Sequence, residues 1–408
     1  MSSSIFILGR EFHLSIAELV AALHPYGPQW NRALVQREVL VVPTDRSVDP
    51  AFLGRLGGTI KMGTVWREVP YGGFDGSDEA IGAWILEQVP GTRKLHFGYS
   101  VYDGGAGPAK VATVRAALRR GAPAQKRWLA EHGRSVRWVT AQTPTLSSVV
   151  VEKNHLFPPE GVEVLVLVTP EHLLLGVTHA VQPFEEWSAR DYGRPGRDAR
   201  SGMLPPKLAR IMLQLAGVPP EGTVLDPFCG SGTVLTEAMM LGIAQAVGTD
   251  LSAKAIADAE QNVAWVRART PAATVVNLRV ADARAVDQVL LPRSVDAVVT
   301  EPYLGPSQRS ASGDATTLSI LYRDAFRSFA RVVKPGGRVV FVAPVFRSMR
   351  GARAIDVTDA VRAFGFHRMS SFPTELQSHP LLRDREDLPY ARADQRVGRR
   401  ILVFRYAP

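Results

Sequence analysis

Gly222-Thr-Val-Leu-Asp226-Pro-Phe-Cys229-Gly230-Ser-Gly232-Thr233 decides the fold. Thr223 to Asp226 reads as a short buried strand. A Gly-rich turn follows, and then a helix from Thr233 to Leu241. Glycines let the backbone turn tightly and approach a ligand closely. The helix start adds free N–H groups and the positive end of a dipole. Asp226, at the carboxyl end of the strand, sets the sign of that ligand. A pyrophosphate would be repelled by a carboxylate there, whereas a cation would be held.

Outward from this stretch, strands and helices alternate. Strands are expected at Thr223–Asp226, Ala246–Asp250, Val275–Ala281, Val295–Thr300 and Arg338–Ala343, with helices at Ala253–Arg267, Leu318–Val333 and Asp356–Phe364. The last elements expected are His367–Ser371 and Arg400–Arg405. Such alternation predicts an α/β fold, a doubly wound and largely parallel sheet. Sheets of this kind bind ligands at the carboxyl ends of their strands. An acid stands at each of four successive ends: Asp226, Asp250 before Leu251, Asp282 before Ala283, and Glu301. One such acid alone reads equally well as a cap for the next helix. Together with the Gly-rich turn they predict a nucleoside site, in which Asp250 accepts from ribose hydroxyls and Asp282 takes an adenine amino group. A nucleoside that also carries sulfonium and ammonium charges for Asp226 is S-adenosylmethionine.

The first half of the chain is built differently. Ile5–Leu8, Glu38–Val42 and Val65–Val69 read as strands, and Ser15–Leu23 as a helix opened by a Ser15/Glu18 capping box. Asp49-Pro50 starts a further short helix. This is a small α+β unit over residues 1–72. A second unit, 73–184, carries a helix from Asp78 to Val89, strands at Leu95–Tyr102 and Val136–Ala141, and a hairpin of Val162–Thr169 with Leu173–Val177. Between them residues 110–132 read as helix, broken near Gly121 and Pro123. Residues 185–203, polar and rich in Gly and Arg, read as a linker, and 204–408 as the ligand-binding domain. Pro205-Pro206 opens a helix there, with proline in its permitted first turn.

The 408 residues carry a net charge of +9, which favours a polyanionic partner. Lys110, Arg115, Arg119, Arg120, Lys126, Arg127, Arg134 and Arg137 fall in one stretch where Glu131 is the only acid. That placement predicts an RNA-facing surface. The single cysteine, Cys229, excludes an internal disulfide and a Cys-rich zinc site, and suits a reducing cytoplasm. No apolar run approaches the roughly 18 residues of a membrane span. The histidines His96, His155, His179 and His379 lack ligand spacing, so no metal is expected.

Asp226-Pro227-Phe228-Cys229-Gly230-Ser-Gly232-Thr233 resembles motif I of S-adenosylmethionine-dependent amino methyltransferases, and Glu301-Pro302-Tyr303-Leu304-Gly305 a variant of their motif IV. With Arg190-Asp-Tyr-Gly-Arg194-Pro195 and Gly202-Met-Leu-Pro-Pro-Lys-Leu-Ala209 ahead of them, the chain resembles the THUMP-domain tRNA guanine-N2 methyltransferases. Leu8-Gly-Arg, Leu56-Gly-Gly-Thr-Ile-Lys61 and Gly176-Val-Thr-His-Ala-Val-Gln182 extend the likeness to the first half. The resemblance implies a ferredoxin-like unit, a THUMP domain that binds tRNA, and a seven-stranded Rossmann-like catalytic domain. It implies S-adenosylmethionine as cofactor and tRNA as partner. In such enzymes a carboxylate and a backbone carbonyl accept the N–H hydrogens of an exocyclic amine, and an aromatic ring stacks on the base. Here Glu301 and the Pro302 carbonyl would be the acceptors. Glu301 is one methylene longer than the usual Asp or Asn. Tyr303 replaces a proline, and Leu304 stands where the aromatic is expected, so Tyr303 is the ring available for stacking. Because motifs I and IV are shared, a DNA amino (N6-adenine or N4-cytosine) methyltransferase stays open, and the altered loop leaves open a non-catalytic protein that binds RNA or S-adenosylmethionine. Pro306 and Ser307–Gly313 read as a mobile loop over the site or, equally well, as a plain surface loop. Arg383 to Asp387 reads as a solvated charge run, and Tyr390-Ala-Arg-Ala-Asp-Gln395 resembles a family segment of no derived role.

Overall fold

The computed structural model describes residues 2–72, 74–197, 203–305, 311–348, 351–383, 387–391 and 397–408. The chain divides into two compact units. One holds Met1–Ile16, Leu23–Phe184 and Ser378–Leu381; the other holds Ala17–Ala22, Glu185–Gln377 and Leu382–Pro408.

The first unit is built on one sheet. Its strands in chain order are β1 (Ser2–Leu8), β2 (Leu34–Val35), β3 (Val39–Thr44), β4 (Thr59–Val69), β5 (Leu95–Asp103), β6 (Val136–Val139), β7 (Gly161–Val168) and β8 (Leu173–Val181). In space they run β2-β3-β1-β4-β8-β7-β5-β6. β4 and β8 pair antiparallel from Lys61↔Val181 to Val69↔Leu173, so the strands of residues 1–72 and 73–184 belong to one continuous sheet. Helix α1 (Phe12–Ala22) is divided between the two units, while α2 (Glu79–Gln88), α3 (Pro108–Glu131) and α4 (Ser148–Lys153) accompany the sheet. Ile81, Trp84 and Ile85 of α2 and Val114, Leu118 and Leu129 of α3 pack on Phe97, Val164, Val166 and Leu175 of the sheet.

α3 is unbroken, contrary to the expectation of a break near Gly121 and Pro123. Pro123 lacks the N–H that would reach back one turn, at a cost of about 3 kcal/mol. It lies on the exposed face, which is open to solvent. Burying Val114, Leu118 and Leu129 at about 1.5–3 kcal/mol each outweighs that cost. Gly121 is a packing residue: a Cβ there would come within 1.9 Å of the Asp75 carbonyl oxygen.

In the second unit the strands are β9 (Thr223–Asp226), β10 (Gln245–Asp250), β11 (Val275–Val280), β12 (Val295–Thr300), β13 (Val333–Ser348), β14 (Gly351–Ala354), β15 (Phe366–Arg368), β16 (Leu388–Tyr390) and β17 (Val397–Tyr406). The main path is β11-β10-β9-β12-β13-β17-β15, with β14 and β16 attached to β13 and β17. β11 to β13 are parallel, and β17 runs antiparallel beside β13. This is the doubly wound arrangement the βα alternation predicts. The order reverses between β9 and β12, and that switch point opens a crevice at the carboxyl ends of both strands. Helices α5 (Phe184–Tyr192), α6 (Pro206–Ala216), α7 (Thr233–Leu241), α8 (Ala253–Arg267) and α9 (Ala311–Val332) complete the frame. Tyr322, Phe326 and Phe329 of α9 pack on Val298, Phe341 and Phe404. Successive side chains point to opposite faces of a strand. The intervening Val299, Val340 and Val342 are equally buried, so both faces of the sheet are covered.

Three local expectations change. The supposed polar connector contains helix α5, with Trp187 and Arg190 buried. Their partners lie in α6 and α7, which the polar composition of the stretch does not reveal. α9 begins at Ala311, so residues 311–313 are helical rather than loop. Asp387 is not simply solvated: it pairs with Arg368 and Arg400, both at 2.9 Å. Residues 198–202 of the connector, 306–310 of the expected loop, 384–386 of the charge run and 392–395 of the family-like segment lie outside the described residues. Among the described residues no helix is long and apolar enough to cross a membrane, and no group of three His, Cys, Asp or Glu side chains is placed to hold a metal.

Candidate active site

β9 ends at Asp226 because Pro227 cannot continue the ladder. The chain turns through Gly230 and Gly232, whose φ angles of +51° and +80° are left-handed. A side chain at either would be strained. At Gly230 there is also open space where a Cβ would sit. The turn is tied down to the end of β10. Cys229 N–H donates to the Thr249 carbonyl at 3.0 Å, and Gly230 N–H to Asp250 Oδ2 at 3.0 Å. Burial pushes the Cys229 thiol up, so it stays protonated.

Asp226 is 3% exposed. Its Oδ1 accepts from Thr300 Oγ1 at 2.7 Å, across the switch point, and from Phe228 N–H at 3.2 Å. Burial pushes its carboxyl up to about 7 against those two bonds, with help from the nearby Asp250 and Glu301 charges. A carboxyl raised in this way gains most from a cationic ligand.

Asp250 Oδ1 takes the Ser252 N–H at 2.9 Å, so each of its oxygens retains a lone pair for a further donor. Leu251, beside it, is 67% exposed. Asp282 differs from expectation. It caps the short turn at Ala283–Gln288, and both its oxygens accept from the Arg284 guanidinium, Oδ1 from Nε and Oδ2 from Nε and Nη2. Those bonds hold its carboxyl below the usual range. An adenine amino group would have to compete with Arg284. Ala283 buries its methyl in the core, which leaves only its backbone for a ligand.

Glu301 directly follows β12, two strands from β17. It is bound by Arg399 of β17 through a bidentate ion pair, Nε to Oε1 and Nη2 to Oε2, the second at 3.2 Å. The two side chains are 10% and 5% exposed. Adjacent strands are about 4.8 Å apart, so this pair spans β13 at about twice that distance. That distance suits Glu rather than Asp at position 301. Pro302 is buried and Leu304 half-buried, while Tyr303 is 57% exposed. The Tyr303 carbonyl accepts from Tyr322 Oη at 2.7 Å, which fixes the loop while its ring stays exposed. Burial pushes the Tyr322 hydroxyl up and keeps it a donor.

Reading the residues as a sequence missed several supports. Thr300 immediately precedes Glu301 and could have been read as a strand-end donor. Arg194 Nη1 donates to Thr233 Oγ1 at 2.6 Å. Asn262 of α8 exchanges hydrogen bonds with the Gly196 backbone and donates to the Ser231 carbonyl at 2.8 Å. Arg194 braces the Gly-rich turn from the stretch read as linker, and Asn262 ties that stretch and the turn to α8. Arg399 gave no signal at all.

The basic residues of the first unit divide into two groups. Arg119, Arg120, Lys126 and Arg127 recur at seven-residue spacing on the exposed face of α3, and Arg137 is exposed on β6. Lys110 donates to the Pro170 carbonyl and stands over the Tyr71 ring. Arg115 bonds the Gln142 carbonyl. Arg134 does not belong on an RNA-facing surface: it is 7% exposed and donates to the carbonyls of Val89 and Arg93. It closes the loop between α2 and β5.

Known proteins share parts of this chain. Residues 194–368 match the family model described as RMKL-like, methyltransferase domain, and residues 106–261 match one described as DNA methylase. A tRNA (guanine(6)-N2)-methyltransferase of Thermus thermophilus is 34% identical over 192 residues, 45% of this chain and 50% of that protein. A tRNA (guanine(10)-N2)-dimethyltransferase of Methanothermobacter thermautotrophicus is 33% identical over 143 residues, 35% of this chain and 39% of that protein. The chain thus spans half or less of the length of these two relatives. Among solved structures, TrmN from Thermus thermophilus superposes over the whole of both chains with a TM-score of 0.51 at 20% identity. The fold is mixed α/β, and the second unit has the Rossmann-like methyltransferase architecture.

Proposed function

We propose that this protein is an S-adenosylmethionine-dependent methyltransferase that modifies the exocyclic N2 of a guanine in tRNA. One observation carries the reading: the cation-seeking Asp226 and the acceptor Glu301 stand at the ends of adjacent strands across the switch point, beside an exposed Tyr303. The names of the relatives support guanine N2 and tRNA. The first unit would supply the ferredoxin-like and THUMP elements, and residues 204–408 the catalytic domain.

The residues fit the cofactor. Asp226 would hold its cationic end, Gly230 its close approach, and Asp250 its ribose hydroxyls. The Thr233 end of α7 would favour its carboxylate. When bound, the cofactor supplies an electrophilic methyl. The chain's own work is on the acceptor. Glu301 and the Pro302 carbonyl would accept the two N–H hydrogens of the amine and favour a pyramidal nitrogen, whose lone pair is less delocalised into the base. Tyr303 would stack on the base once it leaves its helix.

The test is transfer of a labelled methyl to bulk tRNA, followed by nucleoside analysis. N2-methylguanosine is expected. Label on duplex DNA and none on tRNA would reverse the reading in favour of a DNA amino methyltransferase.

Cofactor affinity should depend on pH through Asp226. Below about 7 the free carboxyl is mostly protonated and must lose a proton to hold a cation. The Kd for S-adenosylmethionine should therefore fall as pH rises from 5.5 to 8. The slope should approach tenfold per unit at the acid end and vanish above about pH 8. Calorimetry in two buffers of different ionisation heat should register the released proton. A Kd constant across that range would remove Asp226 from cofactor binding.

The exposed face of α3 should hold tRNA through its phosphates. On a duplex, every phosphate neutralised by a basic side chain adds about 0.9 to the salt slope of binding. Replacing Arg119, Arg120 and Arg127 together by Ala should flatten that slope by about 2–3 and weaken tRNA binding, with cofactor affinity unchanged. Filter binding at several salt concentrations reads it. An unaltered slope would clear α3 of that role.

A further inference from the structure

The Glu301–Arg399 pair points to how the base is chosen. Arg399 presents two parallel N–H groups, from Nε and Nη2, to the two oxygens of Glu301. A bidentate fork of this kind uses the lone pairs of a carboxylate that lie side by side. Guanine carries the same fork on its own edge, where N1–H and N2–H stand side by side as part of a guanidine unit. Adenine and cytosine do not. Beside the amine of each lies a ring nitrogen with a lone pair, which would face a carboxylate oxygen.

We propose that Arg399 is a placeholder for guanine on Glu301: the base enters by exchanging its N1–H/N2–H edge for the Arg399 fork, and this exchange selects guanine. The inference rests on the methyl-transfer reading above. Three features support it. Glu301 stands two residues before Tyr303 in the same loop, and the Tyr303 ring is exposed to an incoming base. The pair is almost wholly shielded from water, so a base without the fork would leave a buried carboxylate oxygen unmatched. Arg399 also has somewhere to go: its guanidinium carbon already lies 6.0 Å from the Tyr390 ring, at the edge of cation–π range.

Arg399 is thus a positioning residue in the resting protein, and Glu301 reads the base. The decisive probe is 2-aminopurine, which keeps the C2 amine but turns N1 from donor to acceptor. It is placed at the tRNA position where nucleoside mapping locates the methyl. Sites that hydrogen-bond a substrate donor reject analogues lacking it by up to about 10⁴-fold. Wild type should prefer guanine by at least about 10²-fold in kcat/KM. Glu301→Gln, which offers one acceptor and one donor, should narrow that preference or invert it. Arg399→Lys keeps the charge but loses the fork. It should lower KM for guanine tRNA by about threefold while preserving the preference over 2-aminopurine, about 0.6 kcal/mol of removed competition. A merely structural Arg399 would instead raise KM and lower kcat together. S-adenosylhomocysteine binding by each variant establishes that it is folded. Transfer to 2-aminopurine tRNA within threefold of guanine tRNA would overturn the inference and leave the methyl-transfer reading intact. Transfer to neither would overturn both.

Discussion

Glu237→Gln should lower the Tm of the second unit by about 10 °C. Glu237 sits on α7 with no exposure, between Arg190 of α5 and Arg210 of α6, themselves 8% and 1% exposed. Its Oε1 accepts from Arg190 Nε at 2.9 Å, and its Oε2 from Arg210 Nε at 2.9 Å and Nη2 at 2.5 Å. The Trp187 ring lies under both guanidinium groups, at 4.1 and 5.3 Å. Glutamine keeps the shape and one acceptor but removes the charge that compensates the two arginines. Breaking a buried pair from one side costs about 3–5 kcal/mol, and each kcal/mol is worth about 2–4 °C for a unit of this size. Circular dichroism melting should resolve the shift. Replacing all three residues by apolar ones of similar volume should recover most of it, because the loss comes from orphaned charge rather than from missing attraction. A Glu237→Gln melt within 2 °C of wild type would show that the arginines find water or other partners.

That cluster also marks where reading residues in order reaches its limit. The fold of the second unit was legible because period-2 and period-3.6 patterns are local, and alternating β and α leave few ways to build a sheet. The strand-end acids were legible for the same reason: a strand end and the residue that closes it are neighbours in the chain. Asp226 and Asp250 were read from one strand each. Arg190 and Arg194 stood out only as family-like letters inside a supposed linker. Their partners, Glu237 and Thr233, are 47 and 39 residues away. Charge patterns on one element do not reveal a buried pair between elements. The α3 expectation failed in the opposite direction. Gly and Pro are local helix breakers, and here packing against the sheet and against the Asp75 backbone outweighed them. Arg134 failed as a surface cation because its burial depends on carbonyls 41 and 45 residues back. Arg399 was the least legible of all. It comes from the last strand, and only the antiparallel insertion of β17 beside β13 brings it within reach of Glu301.

That placement makes the other large expected effect, at Glu301, a double one. Glu301→Ala should lower kcat for methyl transfer to tRNA by about 10²–10³-fold, the usual loss when one acceptor or donor at the reacting group is removed. It should also destabilise the protein, because Arg399 is left as a shielded cation without its carboxylate, at the rim of the site proposed to hold a cationic cofactor. Weakened cofactor binding would then mimic a chemical defect. The two causes separate when both partners are removed. Glu301→Ala combined with Arg399→Met takes out the whole pair, so Tm and S-adenosylhomocysteine affinity should return toward wild type. Single-turnover methyl transfer should stay at the reduced rate, since the double variant has no carboxylate to accept the amine hydrogen. Recovery of turnover together with stability would mean that Glu301 serves the fold alone, with the acceptor role left to the Pro302 carbonyl. Loss of turnover with full recovery of stability would place the carboxylate on the reacting amine. It would also explain the extra methylene at position 301, the length needed to reach Arg399 in the resting protein and the base edge that takes its place.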